Sequence, residues 1–492
     1  MPLPIALYST AQVRSIDAHA IQVLGIPGYT LMKRAGEGAL RYMRARWPTA
    51  HRVVIVCGGG NNGGDGYVVA RFAQAAGLTV SVLSATSTEA LRGDARQAFE
   101  DFRASGGSIR PFAPGLLSEG DVVVDALLGT GFKGAAREEL ATVIRAINDS
   151  HRPVFAIDVP SGLDSDTGVP LGETIRADCT VTFVGLKTGL FTGDGPEFAG
   201  TVVFDDLELA PPDTATYKPR LERILDAEIQ RALPRRRRAA HKGDFGRVVI
   251  VGSGVGMPGA SRLAGEACLR VGAGLVTVAV APENVAAIAA GRPELICLPL
   301  SDVDVLAEAV DRADVLAIGP GLGRTPWARA ALDVVLRSKK PVVVDADALN
   351  LVAEAKCSAR DHWILTPHPG EAGRLLGVPT DEIQRDRLTA LDRLTERYGG
   401  TVVLKGAGTL VGSRDRTPGL CERGNPGMAS AGTGDVLTGA IAGILAQCQD
   451  GWLAARVGVL VHAMAGDAAA RTGERGLLAT DVARELHNCV NL

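Results

Sequence analysis

The chain lacks most of what marks a secreted, metal-stapled or membrane-embedded protein. Its eight cysteines, Cys57, Cys179, Cys268, Cys297, Cys357, Cys421, Cys448 and Cys489, are scattered, and none forms a C-x-x-C pair. That spacing argues against a zinc site and a disulfide scaffold, and it predicts a reducing, cytoplasmic setting. No apolar run in the sequence approaches the roughly 20 residues of a membrane span. Met1 to Ile5 shows no basic segment leading into an apolar core, so neither a signal peptide nor a membrane partner is expected. An excess of one charge is missing too. A formal net charge of −3 over 492 residues leaves no nucleic-acid footprint across the whole surface. Aromatics make up only 4% of the chain.

What is present points to an α/β enzyme. The 60 glycines fit many ligand loops, and 46% hydrophobic with 22% charged residues fit a globular chain. The length suggests about two or three domains. Arg52 to Cys57 predicts a buried strand and Tyr67 to Ala76 a helix. Strand-like runs follow at 79–83, 122–127, 154–159, 180–184 and 201–204, after helical patterns at 10–17 and 30–43. Near-continuous apolar strands separated by helices predict a parallel sheet covered on both faces. The pattern breaks at Ala210 to Pro219, which has the composition of a linker, and at the basic run Arg235 to Arg238. That run reads as a solvated connector or, less simply, as a basic patch. A second series starts at Arg247 to Gly252 and continues at 275–280, 315–319, 342–345, 363–366 and 401–404. The motifs of the two series differ, so they predict fused domains over 1–210 and 220–492, with a boundary between about 208 and 240.

In the first series, Cys57 to Gly66 joins a strand to its helix and carries Asn61, Asn62, Gly63, Gly64 and Asp65. In a parallel sheet this is the carboxyl edge, where ligands bind. Glycines there let backbone approach a pyrophosphate at a helix start. Two more strands end in polar groups: Asp125 before Gly129-Thr130-Gly131, and Asp158 before Pro160-Ser161-Gly162. Asn62, Asp125 and Ser161 offer hard oxygens that suit a large monovalent cation better than zinc. Read blandly, the same residues are turn formers after strands.

These residues resemble the NAD(P)H-hydrate epimerase family, the YjeF N-terminal domain, over about 8–210. The resemblance implies interconversion of the R and S forms of NAD(P)H hydrated at C6 of the nicotinamide ring. It implies that Asn61, Asn62, Gly63, Gly64 and Asp65, with Gly129, Thr130, Gly131, Phe132, Lys133, Gly134 and Ala135, bind that substrate. It further implies potassium at Asn62, Asp125 and Ser161, and substrate contact by Asp158. Asp158 is the candidate proton-handling group, ahead of Lys133.

In the second series, the small-residue run Asn425 to Gly434 opens into the apolar stretch Val436 to Leu445. Such a turn at a helix start favours an anion. Asp435 placed there is either a base beside a transferring phosphoryl group or an N-cap. Lys405 offers a cation, and Gly406, Ala407, Gly408 and Thr409 offer backbone donors. Gly434 N–H can stabilise a phosphate gaining charge. His368 lies between prolines, a rigid setting for a ligand donor. Asp345 and Asp347 fit Mg2+ or its waters as well as they fit turn chemistry.

With His241 to Gly246, Val251 to Ala260 and Gly319 to Gly323, these motifs resemble the ADP/ATP-dependent NAD(P)H-hydrate dehydratase family over about 235–490. The two resemblances together imply a Rossmann-like N-terminal domain and a ribokinase-like C-terminal domain. They also imply hydrate contacts by Ala260, Gly323, His368 and Asp435, ADP contacts by Lys405 to Thr409 and Gly434, and Mg2+ with the nucleotide. The expected partners are NADHX and NADPHX, ADP or ATP, and a second copy of the chain in a homo-oligomer. A ribokinase-like kinase of a vitamin precursor or sugar is the rival for the second half. A purely regulatory module is the rival for the first.

Overall fold

The computed structural model describes residues 2–132 and 134–491. The chain divides into two compact units, Met1–Glu222 and Arg223–Leu492. The first unit is built on seven strands. In spatial order they are Ile109–Pro111, Thr79–Ser84, Arg52–Cys57, Val122–Ala126, Val154–Ile157, Cys179–Phe183 and Thr201–Asp205, and every neighbouring pair is parallel. Successive side chains on a strand point to opposite faces. Val53, Ile55 and Val124 therefore enter a core with the helices Gly28–Arg46 and Asn61–Ala75, while Val54, Val56 and Val123 meet the helix Glu138–Asp149. Both faces are buried, which is why these strands read as unbroken apolar runs. The chain runs outward in one direction from Arg52–Cys57, then returns past it to Val122–Ala126. The loops after those two strands flank the point where strand order reverses, and ligands bind at such a point.

The glycine-rich segment after the first strand differs from its sequence expectation. Asn61 to Gly66 is not a loop; it forms the first turns of the helix Asn61–Ala75. Glycine is a weak helix former, so packing decides. A Cβ on Gly66 would lie 2.6 Å from the Ala126 Cβ and 2.8 Å from the Cys57 Sγ. The helix can start against the sheet only because that side chain is missing. Local composition alone cannot show this.

The second unit repeats the same winding. Its sheet runs Ile296–Pro299, Leu275–Val280, Arg247–Val251, Val315–Ile318, Val342–Val344, Trp363–Leu365 and Thr401–Leu404, all parallel. It then continues through Thr409–Ser413 and Gly419–Cys421, which are antiparallel, so this sheet is mixed. The segment Lys405 to Gly408 is accordingly the turn of a hairpin. The helix Thr433–Cys448 is buried from Val436 to Ala446, packed against the helices Pro258–Arg270 and Gly451–Ala469. Contrary to the expectation that no apolar run approaches a span, the segment Gly451–Thr472 is long and apolar enough to cross a membrane, with mean hydropathy 1.3. Most of its window, 72%, is buried inside the fold, as in a core helix.

Candidate functional sites

In the first unit a cavity of about 660 Å3 opens at the reversal point. It is lined by Gly58 to Asn62, Asp65, Leu127 to Phe132 and Asp158, and also by Asp17 and Lys187. A volume of several hundred cubic ångströms suits a small organic ligand. Asn61, Asn62 and Asp65 reach it from the helix start, and Gly129, Thr130, Gly131 and Phe132 from the loop after Val122–Ala126. Gly63 and Gly64 are buried in the same turn, whereas Gly134 and Ala135 continue the loop beyond the lining residues. Lys133 lies outside the described residues.

Asp158 takes a backbone φ of +69°, in the left-handed region that favours glycine. Its N–H donates to the Val181 carbonyl at 2.7 Å, which fixes the turn. Its carboxylate accepts from Lys187 Nζ at 2.6 Å. Lys187 is 1% exposed and also donates to the Phe183 carbonyl at 2.8 Å. Asp17 and Asp65 complete the cluster. Burial pushes the Asp17 carboxyl up to about 6; Lys187 draws it down and Asp158 adds to the rise. Burial, then the charges of Asp158 and Asp17, push Asp65 well above the usual carboxylate range, with Lys187 opposing. Three carboxyls thus share one ammonium, and they cannot all ionise cheaply. Such a cluster can hold and release protons near neutrality.

Sequence reading missed Lys187 and Asp17. Lys187 ends the short strand Leu186–Lys187, just past the carboxyl end of Cys179–Phe183, and that position was the available signal. Asp17 sits in the helix Thr10–Gln22 among ordinary polar residues, with no signal beyond its charge.

Asn62, Asp125 and Ser161 come together beneath this cavity. Ser161 donates through Oγ to Asp125 Oδ1 at 2.6 Å and through its N–H to Oδ2 at 2.8 Å. Asn62 Nδ2 donates to the Leu128 carbonyl at 2.9 Å, and Leu128 N–H donates to Ser161 Oγ at 2.8 Å. Asn62 Oδ1 is buried with no hydrogen-bond partner. A buried acceptor left unpaired costs about 1–3 kcal/mol. Asp125 is wholly buried among neutral donors, and burial pushes its carboxyl up to about 6. An orphaned amide oxygen, linked through Leu128 and Ser161 to a buried carboxylate held by neutral donors, fits a monovalent ion held by oxygen ligands. Among the described residues no group of three or more His, Cys, Asp or Glu gathers as a transition metal would require.

In the second unit the helix Thr433–Cys448 is capped by Gly432, with no side-chain cap bond. Asp435 lies in its first turn and is therefore not the cap. Lys405 Nζ is 2.8 Å from Asp345 Oδ1 and 3.7 Å from Glu371 Oε2. A Cβ on Gly434 would stand 3.5 Å from the same Nζ, so the helix start and the lysine face one space. Burial would raise Asp345, but Lys405 and the hydrogen bonds from Lys405, Thr438 and Thr366 outweigh it and hold it low. Burial, and then repulsion from Asp345, push Asp435 up to about 7; Lys405 opposes and Asp347 adds. One carboxylate is fixed as an anion while its neighbour is poised near neutrality. A spectator and a base would need such a separation.

His368 caps the helix Pro369–Leu376, its Nδ1 accepting from Gly370 N–H at 3.0 Å. The side chain is half exposed, and burial with the charges of Lys405 and Arg374 lowers its pKa, so it stays neutral. Asp347 accepts from Gly323 N–H at 2.8 Å, and Gly321 lies beside Ala260. Ala260, Gly323, Asp347 and the Asp435 turn thus gather at the carboxyl edge, where Mg2+ brought by a nucleotide would find the hard oxygens of Asp347. His462 was missed. It is buried in an apolar helix, and its Nε2 lies 2.9 Å from the Thr433 carbonyl. A carbonyl only accepts, so Nε2 carries the proton. A trans peptide points its N–H opposite to its C=O, so this bond also sets the direction of Gly434 N–H. A lone histidine within the apolar run Val457 to Met464 was the signal.

These features define a two-site α/β enzyme with a glycine turn and a buried lysine–carboxylate pair in each half. Family models match both halves: "YjeF-related protein N-terminus" over residues 28–189, and "NAD(P)H-hydrate dehydratase" over 248–488. Curated relatives described as bifunctional NAD(P)H-hydrate repair enzymes include one from Coxiella burnetii, 46% identical over 99% of both chains. Another, from Escherichia coli, is 44% identical over 99% of this chain and 95% of its own. Among solved structures, a Bacillus subtilis ADP/ATP-dependent NAD(P)H-hydrate dehydratase crystallised with ATP and Mg2+ is 31% identical, with a TM-score of 0.50 over 54% of this chain and 96% of its own. An Enterococcus faecalis ribokinase-like superfamily protein is 31% identical, with a TM-score of 0.52 over 55% and 95%. The chain belongs to the bifunctional NAD(P)H-hydrate repair enzyme family.

Proposed function

We propose that the first unit interconverts the R and S hydrates of NADH and NADPH, and that the second dehydrates the S form while hydrolysing ADP to AMP and phosphate. The observation that carries the second half is Asp435, held near a pKa of 7 beside Lys405 at the start of a buried helix. Asp435 takes the proton from the C6 hydroxyl as that oxygen attacks the terminal phosphoryl group. Lys405, the Lys405 to Thr409 turn and Gly434 N–H bind the phosphates and balance the charge that develops. AMP leaves, and C6 then bears a phosphate, a far better leaving group than hydroxide. The N1 lone pair expels it, and loss of a C5 proton restores the ring double bond. The oxygen of the hydrate ends in free phosphate, so a nucleotide is consumed although the net change is a dehydration. Ala260, Gly323 and His368 would hold the hydrate. Mg2+ would enter with the nucleotide and neutralise phosphate charge, as the donor set around Asp347 allows.

Inversion at C6 in the first unit requires that centre to become planar. The N1 lone pair can expel the hydroxyl as water once a proton is delivered to it, and water returning to the other face gives the other epimer. Asp158, paired with Lys187, handles that proton, with Asp17 and Asp65 sharing the load. Asn61 to Asp65 and Gly129 to Ala135, including Lys133, would hold the dinucleotide. Potassium at Asn62, Asp125 and Ser161 would brace the loops after both strands. The two activities complement each other, since hydration yields both epimers and only one enters the second step.

The test is incubation of mixed hydrate epimers with ADP or ATP, following absorbance of the restored reduced cofactor and release of phosphate. Complete conversion of both epimers with stoichiometric phosphate is expected. A lasting phosphorylated product would instead mark a kinase. Restoration of only one epimer would remove epimerisation from the first unit.

A further inference from the structure

Arg387 is an expensive residue in its place. It is 3% exposed, and no carboxylate among the described residues lies within ion-pair distance of its guanidinium. It is also the first residue of the helix Arg387–Tyr398, the end at which a cation is disfavoured. Its Nε has no partner at all. Burial pushes its pKa down to about 10, which still leaves it charged at neutral pH. A buried, unpaired cation is not kept for stability.

Its hydrogen bonds show what it holds. Nη2 donates to the carbonyls of Leu404 at 3.2 Å, Lys405 at 3.3 Å and Gly408 at 3.4 Å, and Nη1 donates to the Lys405 carbonyl at 3.3 Å and to Gln384 Oε1 at 3.0 Å. A Cβ on Gly406 would stand 2.7 Å from Nη1. The fork therefore gathers the carbonyls of the Lys405 to Thr409 turn on one side. In a trans peptide the N–H points away from the C=O, so holding the Lys405 and Gly408 carbonyls directs the Gly406 and Thr409 N–H groups to the other side, while the Lys405 N–H donates to the Pro367 carbonyl at 2.9 Å.

We propose that Arg387 is a positioning residue of the second site: it turns the Gly406 and Thr409 N–H groups of the hairpin toward the nucleotide polyphosphate and backs them with a fixed positive charge that the bound phosphates compensate. This rests on the reading that the hairpin holds the nucleotide. It makes the turn selective for polyphosphate, not for the nucleoside.

The test measures binding of ADP and of adenosine to the full chain carrying Arg387→Met or Arg387→Lys, with KM for ADP and kcat. In Arg387→Met, ADP affinity should fall roughly 10- to 100-fold while adenosine affinity moves by less than about twofold. KM for ADP should rise far more than kcat falls. Arg387→Lys keeps the charge without the fork and should recover part of the loss. Unchanged ADP affinity in a folded Arg387→Met chain would overturn the proposal, as would parallel loss of ADP and adenosine. If Arg387→Met does not fold, Arg387→Lys decides alone: a loss confined to ADP supports the fork, and wild-type affinity overturns it. Failure of the unaltered chain to bind ADP would instead overturn the dehydratase reading beneath it.

Discussion

In the first unit Lys187 stands 2.6 Å from Asp158, and Asp17 and Asp65 crowd the same cavity with raised carboxyls. In the second, Lys405 stands 2.8 Å from Asp345, and Asp435 is the raised carboxyl beside it. Both lysines sit at the carboxyl edge of a sheet wound in the same order. The difference lies around the pair. Asp435 occupies the first turn of a buried helix, between Gly434 N–H and a hairpin whose carbonyls Arg387 gathers behind it. We read those parts as a phosphate cradle. In the first unit the lysine, also bonded to the Phe183 carbonyl, has three carboxyls around it, and a proton has several places to rest. Inverting the carbinol centre needs a proton delivered to its oxygen and taken back, whereas the net, nucleotide-driven loss of that oxygen needs a phosphoryl donor. One winding of the chain serves both, depending on what surrounds its buried lysine.

Substitution can break this comparison at its sharpest point. Asp435→Asn should cut dehydratase turnover by about 10²–10⁴-fold and leave epimerisation intact, and equal loss of both activities would erase the division of labour. In the unaltered enzyme the dehydratase rate should climb through pH 7 as Asp435 ionises and then level off. Stability should respond with the opposite sign. A carboxyl raised on folding supports the fold fully below its unfolded pKa, and that support is lost as pH rises through about 7. Asp435→Asn should therefore stabilise the second unit by roughly 1–3 kcal/mol at pH 8 and hardly at all at pH 4. A melting temperature that falls at pH 8 would show that the activity loss is only unfolding.

The mirror experiment is next in size. Asp158→Ala should lower epimerase turnover by about 10²-fold or more and spare the dehydratase. Lys187→Met should follow it, because the pair works as a unit. If Lys187→Met leaves R-to-S conversion untouched, the lysine is structural and the likeness between the two sites fails. A smaller effect is expected at Lys405. Saturating ADP, bound only by the folded chain, should raise the melting temperature, and Lys405→Ala should shrink that rise. An unchanged rise would take Lys405 out of the nucleotide site.

How much of this could be read from residues alone depended on where the chemistry sits. The parallel series of apolar strands was legible because both faces are buried, and the residues that end those strands were legible because strand ends form one edge. Asn62, Asp125 and Ser161 are far apart in sequence, yet sheet topology brings them into one network. The hairpin strands Thr409–Ser413 and Gly419–Cys421 were missed, being short and interrupted by polar turns. So was the helical state of Asn61 to Gly66, which packing imposes against propensity. Arg387 and His462 act from behind the site, through backbone carbonyls. Nothing in their neighbourhoods distinguishes an arginine after Asp386 from a surface charge. The signal for such residues is a burial cost with no local cause, and only coordinates display it.

The smallest expected effect tests the part of the first unit that has no counterpart in the second. Asn62 Oδ1 is an orphaned acceptor beside the neutral-donor nest of Asp125 and Ser161. If potassium satisfies it, replacing sodium with potassium should stabilise the first unit by selective binding to the folded state, by about 1–3 kcal/mol at saturation, and its melting temperature should rise accordingly. Asn62→Ala removes the orphan and one ligand together, so the potassium dependence should vanish while the sodium value changes little. Asp125→Asn sharpens the result, because it keeps the shape and removes the charge. If the ion is held by charge, this variant loses the potassium response; if only cavity filling matters, the response survives. A response to potassium that persists in both variants would place the ion elsewhere, and the comparison would then rest on the lysine–carboxylate pairs alone.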